Sequence, residues 1–432
     1  MKLRIRAAAI ALALCAAAGL LGSRHWTAGG LAKPEFLKPG DPAFRERAAL
    51  TAADLDLASA AAQVLLIGVE GVGRPAAQSL ELLSRLPVGG VILFGFNMPE
   101  RPADLADYTA ALQDAASARN ATPQRGVGTS RGDAPSRLPL IVALDHEGGS
   151  VFRFKGSGIT RIPPAAEVGA RGPSYARMLG EIGGAQLRAL GVNMALAPVV
   201  ELLDDRNQRF LGSRSYGRNA RIVDRAAGAY LEGLQTAGAA AVAKHFPGNA
   251  DADPHERLPS LPINLKTYKR DFEPRFAQAI DRGVAGIMLS HVVCPALDPD
   301  KPATISSAFA QAALKKKLGF KGVVLTDDLY MKALTEDSPP ERTAVEALAA
   351  GADLLMLTWN GRAESVRDAI VRAVKDGRLD RERLYDAARR VVELKLRYGM
   401  SDDLDSEIRA QRARTFPALV ADGNEKLRAG GS

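Results

Sequence analysis

Past about residue 50 the chain repeats one pattern. A short, unbroken apolar run is followed by a longer stretch in which apolar residues return every three or four positions. The apolar runs are Val64–Val69, Gly90–Phe94, Leu140–Leu144, Val192–Ala197, Ala240–Ala243, Ala285–Leu289, Gly322–Leu325 and Asp353–Leu357. Each is too short for an ordinary helix and rich in Val, Ile and Leu, as parallel strands buried on both faces are. The stretches Ala103–Arg119, Tyr175–Ala189, Ile222–Thr236, Tyr268–Arg282, Ala308–Leu318, Pro340–Ala350 and Ala363–Asp376 carry helical spacing. Strand and helix alternate about eight times, which predicts an α/β fold, a (β/α)8 TIM-type barrel forming a single domain over residues 51–400. A doubly wound open sheet is the competing architecture. Its glycine-rich first turn has only a faint counterpart in Gly68, Gly71 and Gly73, whose spacing does not fit.

The segments outside this rhythm read differently. Residues 115–137 are rich in Asn, Pro, Gly, Ser and Arg and predict a long surface loop. Residues 23–50 are polar and punctuated by Pro and Gly, as a linker is. One more helix is expected over 379–399, and residues 401–432 are expected to form a charged, loosely packed tail. At the start, Lys2, Arg4 and Arg6 precede an apolar stretch from Ala7 to Gly22. A charged segment before a short apolar one is the pattern of a signal peptide or signal anchor over residues 1–22. It predicts export to the periplasm, or anchoring in the membrane with the barrel facing outward. Cys15 follows Leu14, where lipid attachment needs a small residue.

Composition narrows the functional classes. At 432 residues and 47% hydrophobic, the chain can bury a large core. Its net charge of +8 is diffuse, with no basic helix interleaved with aromatics and no zinc-finger spacing, so no nucleic-acid partner is expected. With Cys294 the only cysteine besides Cys15, a disulfide framework is excluded. A monomer is expected.

The polar residues that carry chemistry gather at the C-terminal ends of the expected strands, where barrels of this kind place their active sites. The third strand ends in Asp145-His-Glu-Gly-Gly with Arg153 close behind, the fifth in Lys244-His245, the sixth in Ser290-His291 and the seventh in Thr326-Asp327-Asp328. Four of the five histidines fall on these ends or on the loop after Lys244-His245. That loop holds Asp253 and His255 two positions apart. A carboxylate beside an imidazole that titrates near neutrality is what general acid/base chemistry needs. Each residue also has a plain structural reading: Asp145, Asp327 and Asp328 as helix or turn caps, Asp253 as a turn residue, and the histidines as satisfied buried polar groups. No metal-ligand pairing of histidines appears, so no metal and no cofactor is expected. Together the rim offers carboxylates (Asp145, Asp327, Asp328), cations (Arg153, Arg214, Lys244) and a His–Asp pair, a set suited to a polyhydroxylated ligand.

Taken in order, these residues resemble glycoside hydrolase family 3, and within it the single-barrel β-N-acetylglucosaminidases. The resemblance runs from about Leu55 to Met400. It is carried by Asp145-His-Glu-Gly-Gly with Arg153, Gly212-Ser-Arg214-Ser-Tyr, Lys244-His-Phe-Pro-Gly, Asp253-Pro-His255 with Leu258-Pro259, His291 within Leu-Ser-His-Val-Val, and Gly322-Val-Val-Leu-Thr-Asp327-Asp-Leu. The resemblance implies a single catalytic domain and an exo-acting, retaining β-N-acetylhexosaminidase. Such an enzyme removes terminal β-linked N-acetylglucosamine from peptidoglycan- or chitin-derived oligosaccharides through a covalent glycosyl-enzyme. By position, Asp327 would be the nucleophile, His255 the general acid/base and Asp253 its partner. Asp145, Arg153, Arg214, Lys244 and His245 would bind the sugar ring. The chain departs from the family pattern at Asn249-Ala250, where His-Gly is usual, at Pro254, where Ser is usual, and in a loop about two residues shorter. A phosphorylase using the same intermediate is a second reading, because a histidine acid/base does not repel an incoming anion. A non-catalytic carbohydrate-binding envelope protein is a third, and it would need the nucleophile or the acid to be missing.

Overall fold

The computed structural model describes residues 39–118, 138–154, 158–250, 254, 256–336 and 338–430. The signal segment 1–22, most of the expected linker and residues 119–137 of the expected loop lie outside the described residues.

Eight parallel strands close a barrel: β1 (Leu65–Gly68), β2 (Gly90–Leu93), β3 (Ile141–Leu144), β6 (Met194–Ala195), β7 (Ala240–Phe246), β8 (Gly286–Leu289), β9 (Val323–Asp328) and β10 (Leu354–Leu357). Each falls within or over one of the eight apolar runs. Around the ring the order is β1-β10-β9-β8-β7-β6-β3-β2, so β10 pairs with β1 and seals the sheet, with Ile67 opposite Leu357. Two short antiparallel strands, β4 (His146–Gly148) and β5 (Val151–Phe152), form a hairpin on the mouth directly after β3.

The strand period of two sorts the apolar residues into two cores. Leu66, Ile92, Ile141, Met194, Val242, Met288, Leu325 and Met356 fill the barrel interior. Their neighbours Leu65, Ile67, Val91, Val142 and Ile287 face the surrounding helices. Burial on both sides explains why these runs read as continuous apolar sequence. The helix Arg381–Arg397 closes the base: Val391, Leu394 and Tyr398 join the interior core, and Lys395 Nζ donates to Gln63 Oε1 at 2.8 Å just before β1.

Three segments differ from the sequence reading. Residues 42–50, expected as linker, belong to the helix Pro42–Ala53, capped by Asp41 and carrying buried Ala48 and Ala52. Alanines give little apolar periodicity, so the pattern there looked polar. The helix Ala77–Arg85 fills the β1–β2 connection, for which the apolar pattern predicts no element. Residues 406–429 of the expected loose tail form the helix Ser406–Ala429. Its anchor is polar and hidden in a charged stretch. Asp403, 3% exposed, takes a two-pronged pair from Arg188 at 2.9 and 3.0 Å, and also bonds Asn193 and Arg412.

Candidate active site

The rim chemistry begins where β3 ends. Asp145 leaves the strand, and the β4–β5 hairpin folds the chain back so that Arg153 returns to pair with Asp145 Oδ2. The return needs Gly148 and Gly149 at φ +91° and +56°. A Cβ at Gly148 would stand 2.4 Å from the Pro163 carbonyl oxygen, so neither space nor backbone angle admits another residue. Alternation within β4 turns Glu147 toward the mouth and His146 away from it. His146 is buried against Phe152 and Phe154, and burial alone lowers its imidazole to about 4, so it stays neutral.

Lys244, 3% exposed, bridges the two carboxylates: its Nζ lies 2.6 Å from Asp145 Oδ1 and 2.7 Å from Glu147 Oε1. Arg214 grips Glu147 through two bonds, Nε at 2.8 Å and Nη2 at 2.9 Å. Two carboxylates and three cations thus form one connected ionic floor. Burial alone would raise the Asp145 carboxyl, but the Lys244 ammonium and the Arg153 guanidinium outweigh it and hold the group well below the usual carboxylate range. Glu147 is held down to about 2 in the same way, against its own burial, by Lys244 and Arg214. Lys244 is raised despite its burial by the two carboxylates. Both carboxylates of the floor are therefore held ionised against their burial, and its side chains are locked together before a ligand arrives.

A second network lies beneath His245. Glu201, 2% exposed at the end of the β6 connection, accepts from His245 Nδ1 at 2.7 Å and from the His245 backbone N–H at 3.1 Å. It also accepts from the Asn249 backbone N–H and from Asn249 Nδ2 at 3.0 Å, while Asn249 Oδ1 accepts from Ser290 Oγ at 2.7 Å. One carboxylate thereby ties the end of β7 to the first residues of the loop that follows. The departure at Asn249 is explained locally: its amide fills a buried polar slot. Phe210 stands between the two networks, its ring 5.2 Å from the Arg214 guanidinium carbon and 6.1 Å from the His245 ring.

On the other side of the mouth, β9 bulges against β10, pairing Leu325 with Leu354 but Asp328 with Met356. Both acidic residues of Thr326-Asp327-Asp328 consequently reach the cavity, in different states. Asp328 is tied into the fold: it accepts from Tyr330 N–H at 3.2 Å, Thr358 N–H at 3.0 Å and the Thr358 hydroxyl. Its burial raises its carboxyl above the ordinary range. Asp327 Oδ1 accepts from the Asp328 N–H at 2.8 Å. His291 is buried behind them, bonded to Thr304 Oγ1 at 2.6 Å and to the Asp328 carbonyl at 2.8 Å; it supports the turn.

One cavity of about 490 Å3 joins these parts. Asp145, Arg153, Arg214, Lys244, His245 and Asp327 all line it, with Ile92, Leu196, Met288 and Met356 as its apolar bottom. Since β3 and β9 are four strands apart in a ring of eight, Asp145 and Asp327 stand on opposite sides of the mouth. Asp253 and His255 lie outside the described residues; Glu256 and Arg257, just after them, line the cavity. Among the described residues no group of His, Cys, Asp or Glu is arranged to hold a metal ion. The sequence reading left Glu147 and Glu201 without roles. Glu147 is two residues from Asp145, the spacing that points strand side chains the same way, and Glu201 closes a buried apolar run as the other rim residues do.

Chemically, a preorganised floor of charged donors and acceptors faces a carboxylate across a closed-bottomed cavity. Residues 56–394 match the family model described as the glycosyl hydrolase family 3 N terminal domain. The chain is 35% identical over 306 residues to a beta-hexosaminidase of Nitrosomonas eutropha, covering 68% of this chain and 80% of that protein. Among solved structures it is similar to a glycoside hydrolase family 3 beta-N-acetylglucosaminidase from Paenibacillus sp. str. FPU-7, with a TM-score of 0.73 and 34% identity, over 80% of this chain and 63% of that one. It is also similar to a beta-N-acetylhexosaminidase from Beutenbergia cavernae, with a TM-score of 0.68 and 28% identity, over 78% of this chain and 98% of that one. The barrel, the acidic and basic residues at its mouth and these likenesses agree: the chain is a glycoside hydrolase and belongs to glycoside hydrolase family 3.

Proposed function

We propose that the chain is an exo-acting, retaining β-N-acetylhexosaminidase that removes terminal β-linked N-acetylglucosamine from peptidoglycan- or chitin-derived oligosaccharides. One observation carries this reading: a single closed-bottomed cavity holds the Asp145–Glu147–Lys244–Arg153–Arg214 floor on one side and Asp327 on the other. A blind cavity admits the end of a chain and not its middle. The locked carboxylates and cations suit the hydroxyls of one terminal ring, held by Asp145, Arg153, Arg214, Lys244 and His245. Asp327, less committed to its surroundings than Asp328, attacks the anomeric carbon and forms the glycosyl-enzyme. His255, oriented by Asp253, protonates the leaving oxygen and then deprotonates the incoming water.

The test compares aryl β-N-acetylglucosaminide with aryl β-glucoside, followed by trapping with a fluorinated N-acetylglucosamine donor. Faster cleavage of the first and a label localised to the Asp327 carboxylate are expected. A label on Asp328, or no preference for the N-acetyl sugar, would refute the assignment. We further infer that the protein acts outside the cytoplasm, a reading supported by the charged-then-apolar segment 1–22. A reporter active only after export, fused behind residues 1–30, should be active; a stable but silent fusion would contradict it.

A further inference from the structure

The active-site cavity has an exposed aromatic neighbour that the reaction as described does not use. Trp359 follows Thr358, which lines the cavity and holds Asp328, yet Trp359 is 53% exposed. Its ring is held in place. Gly361 lies against the indole so closely that a Cβ there would stand 2.6 Å from the six-membered ring. Tyr330, two residues past Asp328, meets it edge to face at 5.9 Å. Two strands away around the ring, Phe96 is 55% exposed and stacked at 5.7 Å on Phe94, which lines the cavity. Exposed rings cost apolar hydration, and an indole, with an apolar face and a polar N–H, is suited to a surface that a ligand covers.

We propose that Trp359 is the platform for the second sugar of the substrate, the ring on the leaving-group side of the scissile bond. This rests on the function proposed above. In a blind cavity the terminal ring occupies the bottom, so the next ring emerges at the mouth, where Trp359 stands. A β-linked pyranose presents its axial C–H bonds as an apolar face while its hydroxyls stay in water. A fixed, half-exposed indole matches that face.

The test uses two donors: the β-linked disaccharide of N-acetylglucosamine, and N-acetylglucosaminyl β-fluoride, which has no second ring. For Trp359→Ala the ratio of kcat/KM on the disaccharide to that on the fluoride should fall about tenfold. Trp359→Phe should restore most of it. An unchanged ratio in Trp359→Ala overturns the platform. If that variant instead loses binding to anionic phospholipid vesicles while the ratio holds, the ring serves a lipid surface and the sugar assignment is wrong. If the wild-type chain cleaves neither donor, the reading on which this rests falls first; cleavage of the fluoride with no change in ratio removes the platform alone.

Discussion

At the scale of single residues, the site is governed by which charged side chains are already committed to partners. Asp145 and Glu147 are fixed by Lys244, Arg153 and Arg214, and Asp328 by Thr358. Glu201 shows the same logic one layer deeper. Its four acceptor contacts hold His245 Nδ1 as a donor, so the other ring nitrogen is left for the cavity, and they pin Asn249 at the root of the loop that carries Asp253 and His255. Replacing one oxygen with an amide nitrogen sets donor against donor. Glu201→Gln is expected to lower kcat/KM about a hundredfold through misplacement of groups that touch the sugar. It should also alter the pH–rate profile, which a loss confined to packing leaves unmoved. A profile identical to wild type would show that Glu201 only fills space.

At the scale of elements, side-chain anchors decide which segments join the fold. The helix Ser406–Ala429 has little apolar surface of its own: Phe416 is buried, while Arg412 and Asp403 carry the polar contact with Arg188 on the helix Pro173–Ala189. Removing one partner of such a buried pair leaves the other charge without compensation. Asp403→Ala should therefore cost about 3–5 kcal/mol in chemical unfolding. Asp422→Ala, which breaks the Lys426 pair on the exposed face of the same helix, should cost less than about 1 kcal/mol. Equal losses would mean that the helix is held by something other than the Asp403 cluster.

At the scale of the whole molecule, the barrel base contains a cost of its own. Lys395 is 1% exposed, its Nζ bonds the Gln63 amide oxygen, and burial pushes its ammonium down to about 7. In the unfolded chain the same group titrates near 10.4. Between these values the unfolded chain holds a proton that the folded chain has released, so folding stability rises with pH across that window. Lys315, lowered to about 8 by burial despite Asp353, acts in the same sense over a narrower range. Lys395→Met should be more stable than wild type near pH 7, and its advantage should shrink by roughly 1 kcal/mol per unit as pH rises toward 9. A pH-independent difference in unfolding midpoint would show that Lys395 keeps its proton when folded.

The sequence alone determined the eight strands and most of the helices between them, because strands buried on both faces need continuous apolar runs and surface helices need a stripe. It also pointed to Asp145, Lys244, His245 and Asp327, since polar residues at the ends of such runs can only meet at the mouth of a closed barrel, and, through the family resemblance, to Arg153 and Arg214. What lay beyond it depended on contacts between residues far apart in the chain. The alanine-rich helix Pro42–Ala53 and the charged helix Ser406–Ala429 have weak local patterns, and each is held by distant partners. The different states of Asp327 and Asp328 are invisible in two adjacent identical letters. They arise from the bulge against β10 and from Thr358, thirty residues on. Glu201 became a clamp only once β6 and β7 lay side by side, and Trp359 became a neighbour of the cavity only once β10 closed the ring. Periodicity is a local property that folding must respect, whereas the partner of a buried charge is chosen by tertiary packing.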